Sequence, residues 1–104
     1  MVNRHRGEIA AELDGRTFTL CLTLGALAEL EAAFEVEDLA ALVAKLASAS
    51  LSARDLLKII GAGLRGGGHP LKDEELFEMQ VEGGALGYAR IASELLQATF
   101  GQDQ

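Results

Sequence analysis

A chain of 104 residues with an apolar fraction of 49% has material for one core and no need of disulfide or metal staples. Lys and Arg number 9 against 16 Asp and Glu, a formal net charge of −7, so the chain lacks the clustered cations that neutralise phosphates, and nucleic acid is excluded as a general partner. A lone Cys21 excludes an internal disulfide and any two-cysteine metal or redox motif, and no run approaches the roughly 20 apolar residues of a membrane helix.

The chain opens, from Gly7 to Leu22, with the pattern of a β-hairpin. Asp14-Gly15 is a two-residue turn signal, because a type I′ turn needs positive φ at both positions. Pairing across it sets Leu13 opposite Arg16, Ala11 opposite Phe18 and Ile9 opposite Leu20. One face then carries Ile9, Ala11, Leu13, Phe18, Leu20 and Leu22, and the other Glu8, Ala10, Glu12, Thr17, Thr19 and Cys21. Alternation and turn agree on the register. A lone hairpin is marginal in water, so its apolar face must lie on helices.

From Leu24 the apolar period changes from two to about 3.6. Thr23 caps a first helix with Leu27, Leu30 or Glu31, and Phe34 along one side. A second helix over residues 37–47 places Leu39, Leu42, Val43 and Leu46 on one stripe. After a short linker over residues 47–51, Ser52 and Asp55 form a capping-box pair for a third helix, with Leu56, Leu57, Ile60 and Leu64 inward and Gly66-Gly67-Gly68 as its stop. Asp73, Glu74 and Glu75 place negative charge in the first turn of a fourth helix, which Gly83-Gly84 breaks. The last helix runs from Ala85 to Phe100, with Tyr88, Ala89, Ala92, Leu95, Leu96 and Phe100 inward, and Gly101 ends it. The predicted fold is α+β, an N-terminal β-hairpin packed on a bundle of about five short helices. It forms a single domain over residues 1–104, with residues 1–6 and 102–104 flexible. Ile9, Phe18, Leu20, Leu27, Leu30, Phe34, Leu42, Leu46, Leu56, Ile60, Leu64, Leu95 and Leu96 are the expected core.

No catalytic constellation emerges. The histidines are His5, near the start, and His69, in a glycine-rich loop, and neither has a nucleophile beside it in sequence. Cys21 sits mid-strand, where a thiol is usually inert. Two histidines and one cysteine far apart match no zinc spacing, and Asp73-Glu74-Glu75 lacks the interleaving of a calcium loop. The glycines from Gly61 to Gly68 follow a helix instead of preceding one, so they do not offer amide groups to a phosphate. Gly61 and Gly63 inside the helix point to close approach of a neighbour. No enzyme activity, cofactor or metal is expected. Arg4, His5 and Arg6 are followed by no apolar run, so no secretory signal is read there. A soluble, cytoplasmic protein is the expectation, with an acidic surface that favours basic partners.

The stretch Leu20-Cys21-Leu22-Thr23-Leu24-Gly25-Ala26-Leu27-Ala28-Glu29-Leu30-Glu31 resembles the small gene transfer agent family proteins. These are encoded among the tail genes of phage-like particles and are similar to phage tail assembly chaperones. Leu51-Ser52-Ala53-Arg54-Asp55-Leu56, Gly63-Leu64-Arg65-Gly66-Gly67-Gly68, the Asp14-Gly15 hairpin and Phe100-Gly101 share the resemblance, which spans nearly the whole chain. It implies a non-enzymatic assembly factor of a phage-like tail, a chaperone that binds the tape measure protein. The alternative it leaves open is a structural minor component of the tail or tail tube, found in the virion-like particle itself. Tube subunits are built around extensive sheets, and the single hairpin legible here favours the chaperone. The expected partner is a tail protein, either the tape measure or a tube subunit. One hairpin edge is expected to be masked by the chain itself or by a second copy, the latter making a homo-oligomer. A helical tail partner needs an apolar surface to dock on, and the segment whose apolar residues fit no single buried stripe supplies Leu71, Phe77, Met79 and Val81.

Overall fold

In a computed structural model that describes residues 2–48 and 50–101, Asp14 and Gly15 take φ of 57° and 79°. That is the left-handed pair a type I′ turn requires. It joins strands β1 (Glu8–Leu13) and β2 (Arg16–Cys21), which pair antiparallel in the expected register, Leu13 with Arg16 and Ile9 with Leu20. Ile9, Ala11, Leu13, Phe18, Leu20 and Leu22 are all buried, while Ala10, Glu12 and Thr17 face out. These two strands are the whole sheet among the described residues. Ahead of them Arg4–Arg6 form a single 3-10 turn, capped by the Asn3 side chain.

Five helical segments come after the hairpin. In α1 (Leu24–Phe34) the Thr23 hydroxyl accepts the Ala26 N–H at 3.1 Å. The next, α2 (Leu39–Ala47), starts two residues later than the apolar pattern suggests. The reason is local: Asp38 is its N-cap and accepts the Ala41 N–H at 2.8 Å. Then α3 (Ala53–Gly66) opens on a complete capping box, with Ser52 N–H donating to Asp55 Oδ2 and Asp55 N–H donating to Ser52 Oγ, both at 3.0 Å. A one-turn α4 (Asp73–Leu76) and the long α5 (Gly84–Phe100) complete the fold. Ala49 and residues 102–104, parts of the expected linker and of the expected flexible end, lie outside the described residues. No helix among the described residues is long and apolar enough to cross a membrane.

The centre of the molecule is α3, covered by β2, α1 and α5. Its glycines make this possible. A Cβ on Gly63 would stand 2.6 Å from Leu95 Cδ2 and 3.4 Å from Leu20, so α5 and β2 close on α3 from two sides and a larger residue there would push the Leu95 side chain aside. One on Gly61 would run into the Asp73 carboxylate. The close neighbours are thus within the fold. Because α3 is enclosed so completely, Ile59 and Ala62 are buried along with Ile60 and Leu64. Three residues expected in the core, Phe34, Leu56 and Leu96, are instead half-buried and packed against its rim. Over the Phe34 ring lie the ammonium groups of Lys58, at 5.3 Å, and Lys45, at 5.6 Å, a cation–π arrangement that suits a ring at the boundary with water. Arg65 ties three elements together. It donates to Glu29 of α1 at 3.0 Å, to Asp73 of α4 at 3.0 Å and to the Leu71 carbonyl at 2.8 Å.

The fourth helix differs most from its expectation. Helical hydrogen bonding stops at Leu76, because the connector from Phe77 to Gly83 is held by other parts of the fold. Asp14 N–H donates to the Gln80 carbonyl at 2.7 Å, and Gln80 N–H reaches Asp14 Oδ1 at 3.5 Å. The Tyr88 hydroxyl sits within donating distance of two carbonyls, Met79 at 2.9 Å and Leu76 at 3.1 Å. The connector is strapped between the hairpin turn and α5, and backbone groups that a longer helix would have paired internally are used in these straps.

Candidate partner-docking groove

The strapped connector forms one wall of an open apolar groove of about 510 Å³. Leu56 and Leu57 of α3 line it, with Phe77, Met79 and Val81 of the connector and Tyr88 of α5. Phe77 is 56% exposed, a large apolar side chain left in water at the groove mouth. Met79 and Val81 are half-buried and pack against the core. The Tyr88 phenol is pushed up from its usual pKa by burial, with the charge of Asp14 adding to the effect, so at neutral pH it keeps the proton it donates to the connector.

Of the four residues expected to contact a partner, Phe77, Met79 and Val81 come together here and Leu71 does not. Its carbonyl is held by Arg65 and its side chain packs against the core elsewhere. Leu57 and Tyr88, expected to point inward, line the groove. A signal for Leu57 is present in the sequence: adjacent leucines at positions 56 and 57 cannot both point at the centre of one stripe. A second apolar groove of about 590 Å³ runs between α2 and α5, lined by Val43, Leu46, Leu51, Leu96 and Phe100. Leu56 lines both grooves, which is why it is only half-buried.

The segment that carries Phe77, Met79 and Val81 is rich in exposed acids. Glu74, Glu75, Glu78 and Glu82 are exposed along the connector and its lead-in, and none forms an ion pair among the described residues.

The two residue types singled out for chemistry, histidine and cysteine, have structural surroundings at His69 and Cys21. His69 Nε2 accepts the Thr19 N–H at 3.2 Å, and its ring meets Phe18 edge-on at 4.9 Å. The Cys21 thiol is pushed up from its usual pKa by burial, with Glu8 adding and Arg6 opposing, which disfavours the thiolate a nucleophile needs. No cluster of three His, Cys, Asp or Glu side chains suited to a metal ion occurs among the described residues.

A family model described as "Phage tail tube protein, GTA-gp10" matches residues 6–102. No curated protein and no solved structure matches the chain. The family match takes in the hairpin, all five helical segments and both grooves, and the chain accordingly belongs to the phage tail tube protein, GTA-gp10, family of gene transfer agents.

Proposed function

We propose that the protein is a structural component of a phage-like gene transfer agent tail, and that it packs against another tail protein through the groove lined by Phe77, Met79 and Val81. The observation that carries the structural role is the tube-family match over residues 6–102. An apolar groove with one large aromatic left in water supports the choice of contact surface. A virion-like particle is then its place of work.

A second reading, a chaperone that holds the tape measure protein before assembly and leaves the finished particle, draws support from a different observation. Among the described residues the sheet has two strands, few for a subunit that must itself form a tube wall. Quantitative mass spectrometry of purified particles separates the two. The structural role requires this chain at a constant ratio to the other tail proteins in finished particles. Its absence from particles, together with recovery of the tape measure protein on the tagged chain from cells, would support the chaperone instead.

A further inference from the structure

The two edges of the hairpin are treated differently. Leu13 and Arg16 close the ladder beside a two-residue turn, so the outward backbone groups belong to Glu8, Ala10 and Glu12 on β1 and to Thr17, Thr19 and Cys21 on β2. The β2 edge is covered by the chain itself over Thr19 and Cys21, while Thr17, next to the turn, is exposed. His69 takes the Thr19 N–H at 3.2 Å, and the backbones of Gly67 and Gly66 lie directly against the carbonyls of Thr19 and Cys21, where no Cβ would fit.

The β1 edge is closed only at its ends. Glu8 N–H donates to the Asn3 carbonyl at 3.1 Å, and Asn3 N–H returns to Glu8 Oε1 at 2.9 Å. At the far end Gln80 takes the Asp14 N–H. Between them the N–H and C=O groups of Ala10 and Glu12 have no partner among the described residues, and both residues are exposed. The strand carries no proline, lysine or bulge to blunt this gap. Its solvent face presents two carboxylates, Glu8 and Glu12, with the small Ala10 between them, and neither carboxylate has an ion-pair partner among the described residues.

We infer that the open stretch of β1 receives a short extended segment of a partner protein, antiparallel, with a basic residue opposite Glu12 and a small or polar residue opposite Ala10, ending short of Glu8, where Asn3 already occupies the edge. Main-chain hydrogen bonds to Ala10 and Glu12 hold such a segment, and the Glu12 carboxylate selects its charge. A second copy of this chain is a poor occupant: antiparallel pairing of two β1 edges about Ala10 sets Glu8 of each opposite Glu12 of the other, two like-charge pairs directly across the ladder.

The test uses the full chain at low salt, where charge pairing is least screened, with the peptide acetyl-Lys-Val-Thr-amide, which places Lys opposite Glu12 and Thr opposite Ala10, and its counterpart bearing Glu in place of Lys. Amide hydrogen exchange is read residue by residue. The lysine peptide is expected to slow exchange at Ala10 and Glu12 by about tenfold, leaving Thr17 unchanged, and the glutamate peptide to do neither. Glu12→Lys should weaken the lysine peptide's effect by about fivefold, because one attractive cross-strand pair becomes repulsive. Ala10→Pro, which removes an outward N–H that the fold does not use, should abolish it. Equal protection by both peptides, no protection by the lysine peptide, or an unchanged response in Glu12→Lys would overturn the inference. Concentration-dependent protection of Ala10 and Glu12 without peptide would overturn it too, in favour of a second copy.

Discussion

Glu35 holds a backbone conformation that glycine prefers. It ends α1 at φ 57°, with its N–H donating to the Ala32 carbonyl at 3.2 Å and Val36 N–H to the Glu31 carbonyl at 3.0 Å. A side chain in that region costs roughly 1–2 kcal/mol against a right-handed conformation, and the exposed Glu35 carboxylate forms no ion pair among the described residues to offset it. Glu35→Gly should therefore raise stability by about 0.5–1 kcal/mol, after allowance for the freedom glycine adds to the unfolded chain. A urea titration with an unchanged or lower midpoint would refute this. Asp55 makes a prediction of the opposite kind. Its carboxyl is held below the usual range chiefly by the Ser52 N–H, against the opposing effect of burial, with the Ser52 hydroxyl, Lys45 and Lys58 adding. A carboxyl depressed in the folded state contributes stability that is present above its unfolded pKa of about 3.9 and is lost as pH falls through the lower folded value. Asp55→Asn should consequently be less stable than the parent at pH 7, and the gap should narrow in acid. Equal gaps at pH 7 and pH 3 in urea melts would show that the ionised cap contributes nothing.

Among the elements, α3 and the connector after α4 are legible in the sequence to different degrees. The start of α3 is readable because Ser52 and Asp55 are three residues apart and satisfy each other's backbone within one turn. The full role of Gly66 and Gly67 is not: they end a helix, as expected, but they also seat its end on the carbonyls of β2, far away in sequence. The acids Asp73, Glu74 and Glu75 mark the start of α4 correctly, but nothing local marks its early end, because the straps on the connector come from Asp14 and Tyr88. This also separates Phe77 from Met79 as probes. Met79 packs against the core, so an aspartate there disturbs folding, whereas Phe77 is mostly in water. Phe77→Asp is expected to change stability by no more than about 0.5 kcal/mol while sharply reducing incorporation of the chain into tail assemblies. Normal incorporation of a folded Phe77→Asp variant would remove the groove from consideration as the docking surface.

At the scale of the whole molecule, charge and topology work together. With a net charge of −7, the surface favours basic partners, and Glu12 extends that preference to the open stretch of β1. The amino-acid sequence by itself determined the hairpin register, the caps of α1 and α3, the inward face of the sheet, the acidic balance and the family resemblance. Each of these is written in neighbours a few residues apart or in composition, where backbone preference and alternation suffice. Tertiary structure alone decided which parts of the hairpin edges are covered, where α4 ends, which neighbours approach the glycines inside α3, and which of Leu71, Phe77, Met79 and Val81 share a groove. The contacts that settle these points span the chain, 50 residues between Thr19 and His69 and 66 between Asp14 and Gln80, and bonds of that reach exist only once the core has brought the two segments side by side.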